Sequence, residues 1–156
     1  MIDSNLNDIK EEISKVSKKY RDGSLCVELV AVSKTFPVEA IQQAYDAGQR
    51  VFGENKVQEL VEKYDKLPND CQWHLIGSLQ TNKVKYIVDK VALIHSVDRV
   101  KLASEIQKQA EKKDLTVDVL LQVNTTNEST KSGVQPDEVR DLLRSVASFS
   151  NIRIKG

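Results

Sequence analysis

The stretch VFGENKVQELVEKYDKLPNDCQWHLIG, residues 51–77, decides the fold. It opens on a short apolar run, VFG. A segment follows with Val57, Leu60, Val61, Tyr64 and Leu67 at helical spacing. Gly and Pro are excluded from the helix interior, and Pro68 stands just past its end. A second short run, QWHLI at 72–76, then reads as a strand. Strand, helix, strand within so few residues is a βαβ unit, which needs parallel strands and a right-handed crossover.

The same alternation extends in both directions. Upstream, residues 26–33 (CVELVAVS) form a mostly continuous apolar run, as in a strand covered on both faces. Pro37 opens a helix with Ala40, Ile41, Ala44 and Tyr45 inward and Gly48 as its stop. The amino-terminal segment carries one stripe, Ile2, Leu6, Ile9, Ile13, Val16 and Tyr20, with Asp3 or Ser4 as cap and Gly23 past its end. Downstream, residues 82–88 read as a short helix and 91–95 as a strand. Residues 99–112 read as a helix burying Leu102, Ala103, Ile106 and Ala110. Residues 117–124 are expected to be the longest strand. Pro136 opens a helix with Val139, Leu142, Leu143 and Val146, and 152–155 begin a further strand. The Ser/Thr-rich TTNESTKSG at 125–133 is a loop.

Six strands are expected, starting near 26, 51, 72, 91, 117 and 151. They imply an α/β fold with a parallel sheet, either open and doubly wound or curling into a barrel. No GxGxxG follows the first strand and no GxxxxGK[ST] occurs, so the commonest nucleotide-binding readings lose their support. A complete (β/α)8 barrel needs eight strands and about 250 residues. The reading is therefore a single domain over residues 1–156, an incomplete TIM-type barrel.

Charge narrows the partners. Lys+Arg 23 balance Asp+Glu 23, which argues against a general affinity for nucleic acid or anionic lipid. No apolar run approaches the roughly 20 residues of a membrane helix, and MIDSNLNDIKEE has no apolar signal core. A cytoplasmic location is expected. Cys26 and Cys71 lack the spacing of a zinc site and read as small buried apolar residues.

In such folds ligands meet the carboxyl ends of the strands. Alternation puts Lys34 on the face of Val30 and Val32, His74 and Ile76 on one face of the third strand, and Gln122 and Asn124 nearest the mouth of the fifth. A barrel gathers Lys34, His74, Gln122 and Asn124 at one opening. A partly buried lysine there has a lowered pKa and a free amine that attacks a carbonyl to give a Schiff base. The residues alone favour a plainer reading, an ammonium reaching solvent. Likewise His74 alone suits a hydrogen-bonded core histidine, Asn55 a helix N-cap, and Lys131 a solvated loop residue. His95 has no visible partner.

Resemblance shifts that balance. AVSKTFP (31–37), FGENKVQE (52–59), WHLIGSLQTNK (73–83), IHSVDR (94–99) and LLQVNTTNESTKSG (120–133) stand in an order and spacing that closely resembles the pyridoxal phosphate homeostasis protein family. These are one-domain relatives of the alanine racemase barrel. The resemblance runs from the first helix to the last residue. It implies a fold-type III (β/α)8 barrel with pyridoxal 5′-phosphate held as an internal aldimine on Lys34. It places Asn55 and His74 beside the cofactor and assigns Ser78 no role. By the same resemblance, Gly156 falls before the turns that cradle the phosphate and the arginine that faces the pyridine nitrogen. A chain ending there is expected to leave its first strand's edge unpaired and to bind cofactor weakly. A separate segment supplying the missing strands is favoured over two copies closing each other's edges or the sixth strand bending inward, and the full-length form is expected to be a monomer. Three functions follow. The first is a cofactor carrier acting in intracellular pyridoxal phosphate homeostasis, without catalysis. The second is a pyridoxal phosphate enzyme such as a racemase or decarboxylase. The third is a cofactor-free structural or partner-binding fragment.

Overall fold

Apolar runs too short to be helices and too continuous to be half-exposed must be covered on both sides, and the chain does this by winding helices over one face of a parallel sheet. The computed structural model describes residues 1–20, 27–126, 128 and 130–156. Along the chain it forms α1 (Ile2–Tyr20), β1 (Ala31–Val32), α2 (Val38–Asp46), β2 (Val51–Glu54), α3 (Val57–Tyr64) and β3 (Gln72–Leu75). A 3₁₀ turn (Thr81–Tyr86), β4 (Val91–Val97), α4 (Val100–Lys112), β5 (Val117–Leu121), α5 (Val139–Ala147) and β6 (Ile152–Ile154) complete it. The six strands lie side by side in chain order, all parallel. Among the described residues β1 and β6 are the two edges, so the barrel is open, as expected. Among the described residues no helix is long and apolar enough to cross a membrane.

The outward parity of every strand sits under the helices. Phe52, Trp73, Leu75, Ile94 and Val119 are buried there together with Leu60 of α3 and Leu102, Ala103, Ile106 and Ala110 of α4. The rings of Phe52 and Trp73 meet at 5.8 Å between centroids, within the favoured range for an aromatic pair. The other parity forms the inner face. Val32 is 47% exposed on it, and Val30 and Leu120 are half-buried.

Several expectations are corrected. β1 is far shorter than residues 26–33. Gly23, the expected start at Cys26 and the side chain of Tyr20 lie outside the described residues. Of the described residues of its stripe α1 buries only Leu6, while Ile9 and Val16 are exposed, and the helix packs mainly against α2. The short helix at 82–88 is a 3₁₀ turn. β4, not the segment 117–124, is the longest strand. Beyond Leu121 the backbone turns to the following loop: Asn124 donates its N–H to the Val134 carbonyl (2.8 Å) and Val134 donates to that of Gln122 (2.9 Å). Leu143 is exposed. Gly48 stops α2 as expected, with the left-handed φ of 84° that favours glycine.

Candidate functional site

Strand register fixes which residues share a layer. Val32 is level with Gly53, and Gly53 with His74. Two residues on, the same alternation brings Lys34, Asn55 and Ile76 to the mouth together. Lys34 and Asn55 therefore share a layer, and His74 lies one layer deeper. Lys34 is exposed in the turn after β1, as the plainer reading of the residues has it, because β1 is a sheet edge here. Its ammonium has no partner among the described residues, and neither has the half-buried Asn55 side chain.

Asn55 is not the N-cap of α3. Lys56 holds that position, with no side-chain cap bond. Asn55 instead meets Gly77 across the mouth. A Cβ at Gly77 would stand 2.3 Å from the Asn55 carbonyl oxygen, so only glycine lets the two loops approach this closely.

His74 is buried, and its Nδ1 lies 3.1 Å from Nε2 of His95. The ring centroids are 5.1 Å apart. One nitrogen donates and the other accepts, so the pair is bonded as two neutral imidazoles. Burial, then the neighbouring His95, pushes the His74 pKa down to about 4, and burial lowers that of His95. The partner that the sequence does not show for His95 is thus His74. The register break between Trp73 and His74, which sets His74 level with Leu93, brings His95 within reach.

Gln122 and Asn124 are not open to the mouth. Gln122 Nε2 donates to the Ser132 carbonyl (3.3 Å). Asn124 is buried and organises its loop: Nδ2 donates to the carbonyls of Glu128 (3.0 Å) and Lys131 (3.4 Å), and Oδ1 accepts from the N–H and hydroxyl of Thr126, both at 3.0 Å. Lys131 is exposed, 3.9 Å from Glu128. Ser78 meets Ser132 hydroxyl to hydroxyl at 3.1 Å, linking the loops after β3 and β5.

A second polar cluster, on the outer side of the same mouth, lies outside what alternation and resemblance single out. Glu54 is fully buried beneath α3. Its Oε1 accepts from Lys63 Nζ (2.6 Å) and Ser33 Oγ (2.8 Å). Lys63 also donates to the Ser33 carbonyl (2.9 Å) and lies 3.6 Å from Glu59. Glu59 Oε2 accepts the Thr35 N–H at 3.1 Å. That bond above all, with Lys63 and Lys56 nearby, holds the Glu59 carboxyl below its usual range. The signal in the sequence is Glu54 itself, a charge ending an otherwise apolar strand, with Glu59 and Lys63 one helical turn apart.

The chain matches the family model for the alanine racemase N-terminal domain over residues 4–156. It is 45% identical over 152 residues to a pyridoxal phosphate homeostasis protein of Aquifex aeolicus, covering 97% of this chain and 67% of that one. To the protein of the same name in Escherichia coli it is 36% identical, covering 97% and 67%. It superposes on PipY of Synechococcus elongatus, solved with pyridoxal phosphate bound, with TM-score 0.84 and 34% identity, over 100% of this chain and 68% of that one. Alanine racemase of Clostridium difficile, at 13% identity and TM-score 0.71, shares the fold. The chain spans about two thirds of the length of these homeostasis relatives.

Proposed function

Since the chain belongs to the alanine racemase N-terminal domain family, and within it to the pyridoxal phosphate homeostasis proteins, we propose that it binds pyridoxal 5′-phosphate reversibly as a Schiff base on Lys34. On this reading it acts as a cytoplasmic carrier in cofactor homeostasis, with residues 1–156 forming the larger part of one barrel domain. The observation that carries this is the primary amine of Lys34, free of any partner among the described residues, at the carboxyl ends of parallel strands beside an equally unengaged Asn55.

The donor set fits the aldehyde end of the cofactor. When bound, the cofactor supplies an electrophilic carbonyl carbon, and the protein supplies a primary amine. Lys34 presents that amine. Asn55 offers a donor and an acceptor to ring substituents from the same layer. His74, neutral and bonded to His95, lines the layer beneath without adding charge. No described residue is assigned to the phosphate. A free, buried Cys71, its thiol pushed up to about 11 by burial, suits a reducing compartment.

Fold likeness to racemases does not transfer their chemistry. The carrier reading is favoured over the enzyme because the relatives at 36–45% identity are named homeostasis proteins, whereas the racemase shares the fold at 13% identity. Borohydride reduction of cofactor-loaded protein followed by peptide mapping tests the proposal, together with absorbance near the visible edge. Label on Lys34 is expected. Label elsewhere, with Lys34 unmodified, refutes it, and rapid amino-acid turnover favours the enzyme.

A further inference from the structure

Lys34 stands between two unusual neighbours. The peptide before it is held at the Ser33 carbonyl by Lys63, at 2.9 Å. The peptide after it is held at the Thr35 N–H by Glu59, at 3.1 Å. Both holding groups are charged side chains of α3, and hydrogen bonds with an ionised partner are about twice as strong as neutral ones. Lys63 is itself buried and anchored to the fully buried Glu54, which also takes the Ser33 hydroxyl. Thr35 has φ 66°, a left-handed conformation that a β-branched residue rarely adopts. Such a backbone persists only where its surroundings over-determine it.

A surface turn whose sole task was to connect β1 to α2 would not require this. The chain places a buried ion pair and a second carboxylate outside the barrel, and aims them at the two peptide groups that flank one exposed lysine. We propose that Glu59 and Lys63 are positioning residues for Lys34. Through the Ser33 carbonyl and the Thr35 amide they fix the Lys34 backbone, and with it the direction in which the amine leaves the turn. This rests on the reading of Lys34 as the residue that captures the cofactor, and it assigns the cluster a role on the face opposite the ligand.

The test compares Glu59→Ala, Glu59→Gln, Lys63→Met and Lys63→Arg with the parent protein, at matched folded fraction. The first readout is amide exchange at Thr35. The second needs no cofactor: acetylation of Lys34 relative to the exposed Lys108, by acetic anhydride and mass spectrometry. The third is the dissociation constant for pyridoxal phosphate. Glu59→Ala is expected to speed Thr35 exchange about tenfold, to change the Lys34/Lys108 acetylation ratio, and to weaken cofactor binding about tenfold, the scale of one lost charge-assisted bond. Glu59→Gln keeps an acceptor oxygen for Thr35 and restores most of each effect. Lys63→Arg does the same against Lys63→Met. If Lys63→Met does not fold, the half-buried Glu59 still decides the matter. Unchanged acetylation ratio and affinity in Glu59→Ala, with exchange accelerated, overturns the proposal. A changed ratio without any borohydride label on Lys34 in the parent protein leaves the clamp standing and refutes the cofactor assignment.

Discussion

Buried His74 and half-buried His95 make stability depend on pH in a window where little else titrates. The His74 pKa is pushed from its usual 6.5 down to about 4, first by burial and then by His95. The folded state therefore refuses a proton that the unfolded chain accepts below pH 6.5. Unfolding takes up that proton, so stability is fully present above about pH 6.5 and falls as pH drops towards about 4. At about 1.4 kcal/mol per tenfold difference in proton affinity, the complete loss is about 3 kcal/mol, and about 2 kcal/mol of it is gone by pH 5. Burial acts on His95 in the same direction. The carboxylates of Glu59, Asp70 and Asp89 are held below their usual values, so the stability they contribute is lost only at lower pH. Urea unfolding followed by far-ultraviolet circular dichroism at about pH 8 and about pH 5 reads the difference directly. For a protein in which about 2 kcal/mol is a large share of the total, the midpoint should move clearly. A double variant, His74→Gln with His95→Gln, removes both titrating rings and should flatten the dependence between those two values. A parent midpoint that does not move, or a double variant with the parent's slope, refutes the assignment of the effect to this pair.

Lys34→Ala removes an exposed side chain that bonds to nothing described, so the urea midpoint should change by no more than about 0.5 kcal/mol while borohydride labelling disappears. Gly77→Ala drives a Cβ into the Asn55 backbone and should cost about 1–3 kcal/mol by chemical denaturation, with cofactor affinity falling as Asn55 is displaced. Asn124→Ala strips the loop after β5 of its organising amide; about 1–2 kcal/mol of stability and rapid exchange of the Thr126 amide are the expected results, measured by denaturation and hydrogen exchange.

Elements with strong periodicity are legible in the amino-acid sequence. Leu102, Ala103, Ile106 and Ala110 bury along α4 as their spacing predicts, and all the strands after β1 start within a residue or so of expectation. What sequence does not reveal depends on neighbours. A 19-residue amphipathic stripe marks a helix, but whether Ile9 and Val16 are covered depends on what packs beside α1. Asn55 has the chemistry of an N-cap, yet the helix begins one residue later and frees the amide. Gln122 and Asn124 point where alternation places them, but the loop at 125–133 folds back and takes their hydrogen-bonding groups. His95 cannot be paired from sequence, because its meeting with His74 depends on a register break between strands.

The motif FGEN shows how one turn of alternation serves both sides of the sheet. Phe52 is outward and packs on Trp73. Gly53 is inward, where an added Cβ would press on Val30 and Ile76 at 3.1 Å, so its lack of a side chain lets those two residues close the layer beneath the mouth. Glu54 is outward again, a carboxylate in a space that otherwise holds hydrocarbon. Its desolvation is costly unless a cation meets it, and Lys63 does so at 2.6 Å. Such a pair seldom improves stability over an apolar replacement, and removing one partner alone typically costs about 3–5 kcal/mol. An apolar pair at these positions would keep the core but leave the Ser33 carbonyl with the Phe36 N–H (3.1 Å) alone, without the charged donor from α3. Asn55 is inward once more, level with Lys34. Four consecutive residues thus supply core, clearance, anchor and mouth. The charge at Glu54 is explained by the loop it helps hold rather than by the core it interrupts, because its partner Lys63 is also the donor to the peptide that precedes Lys34.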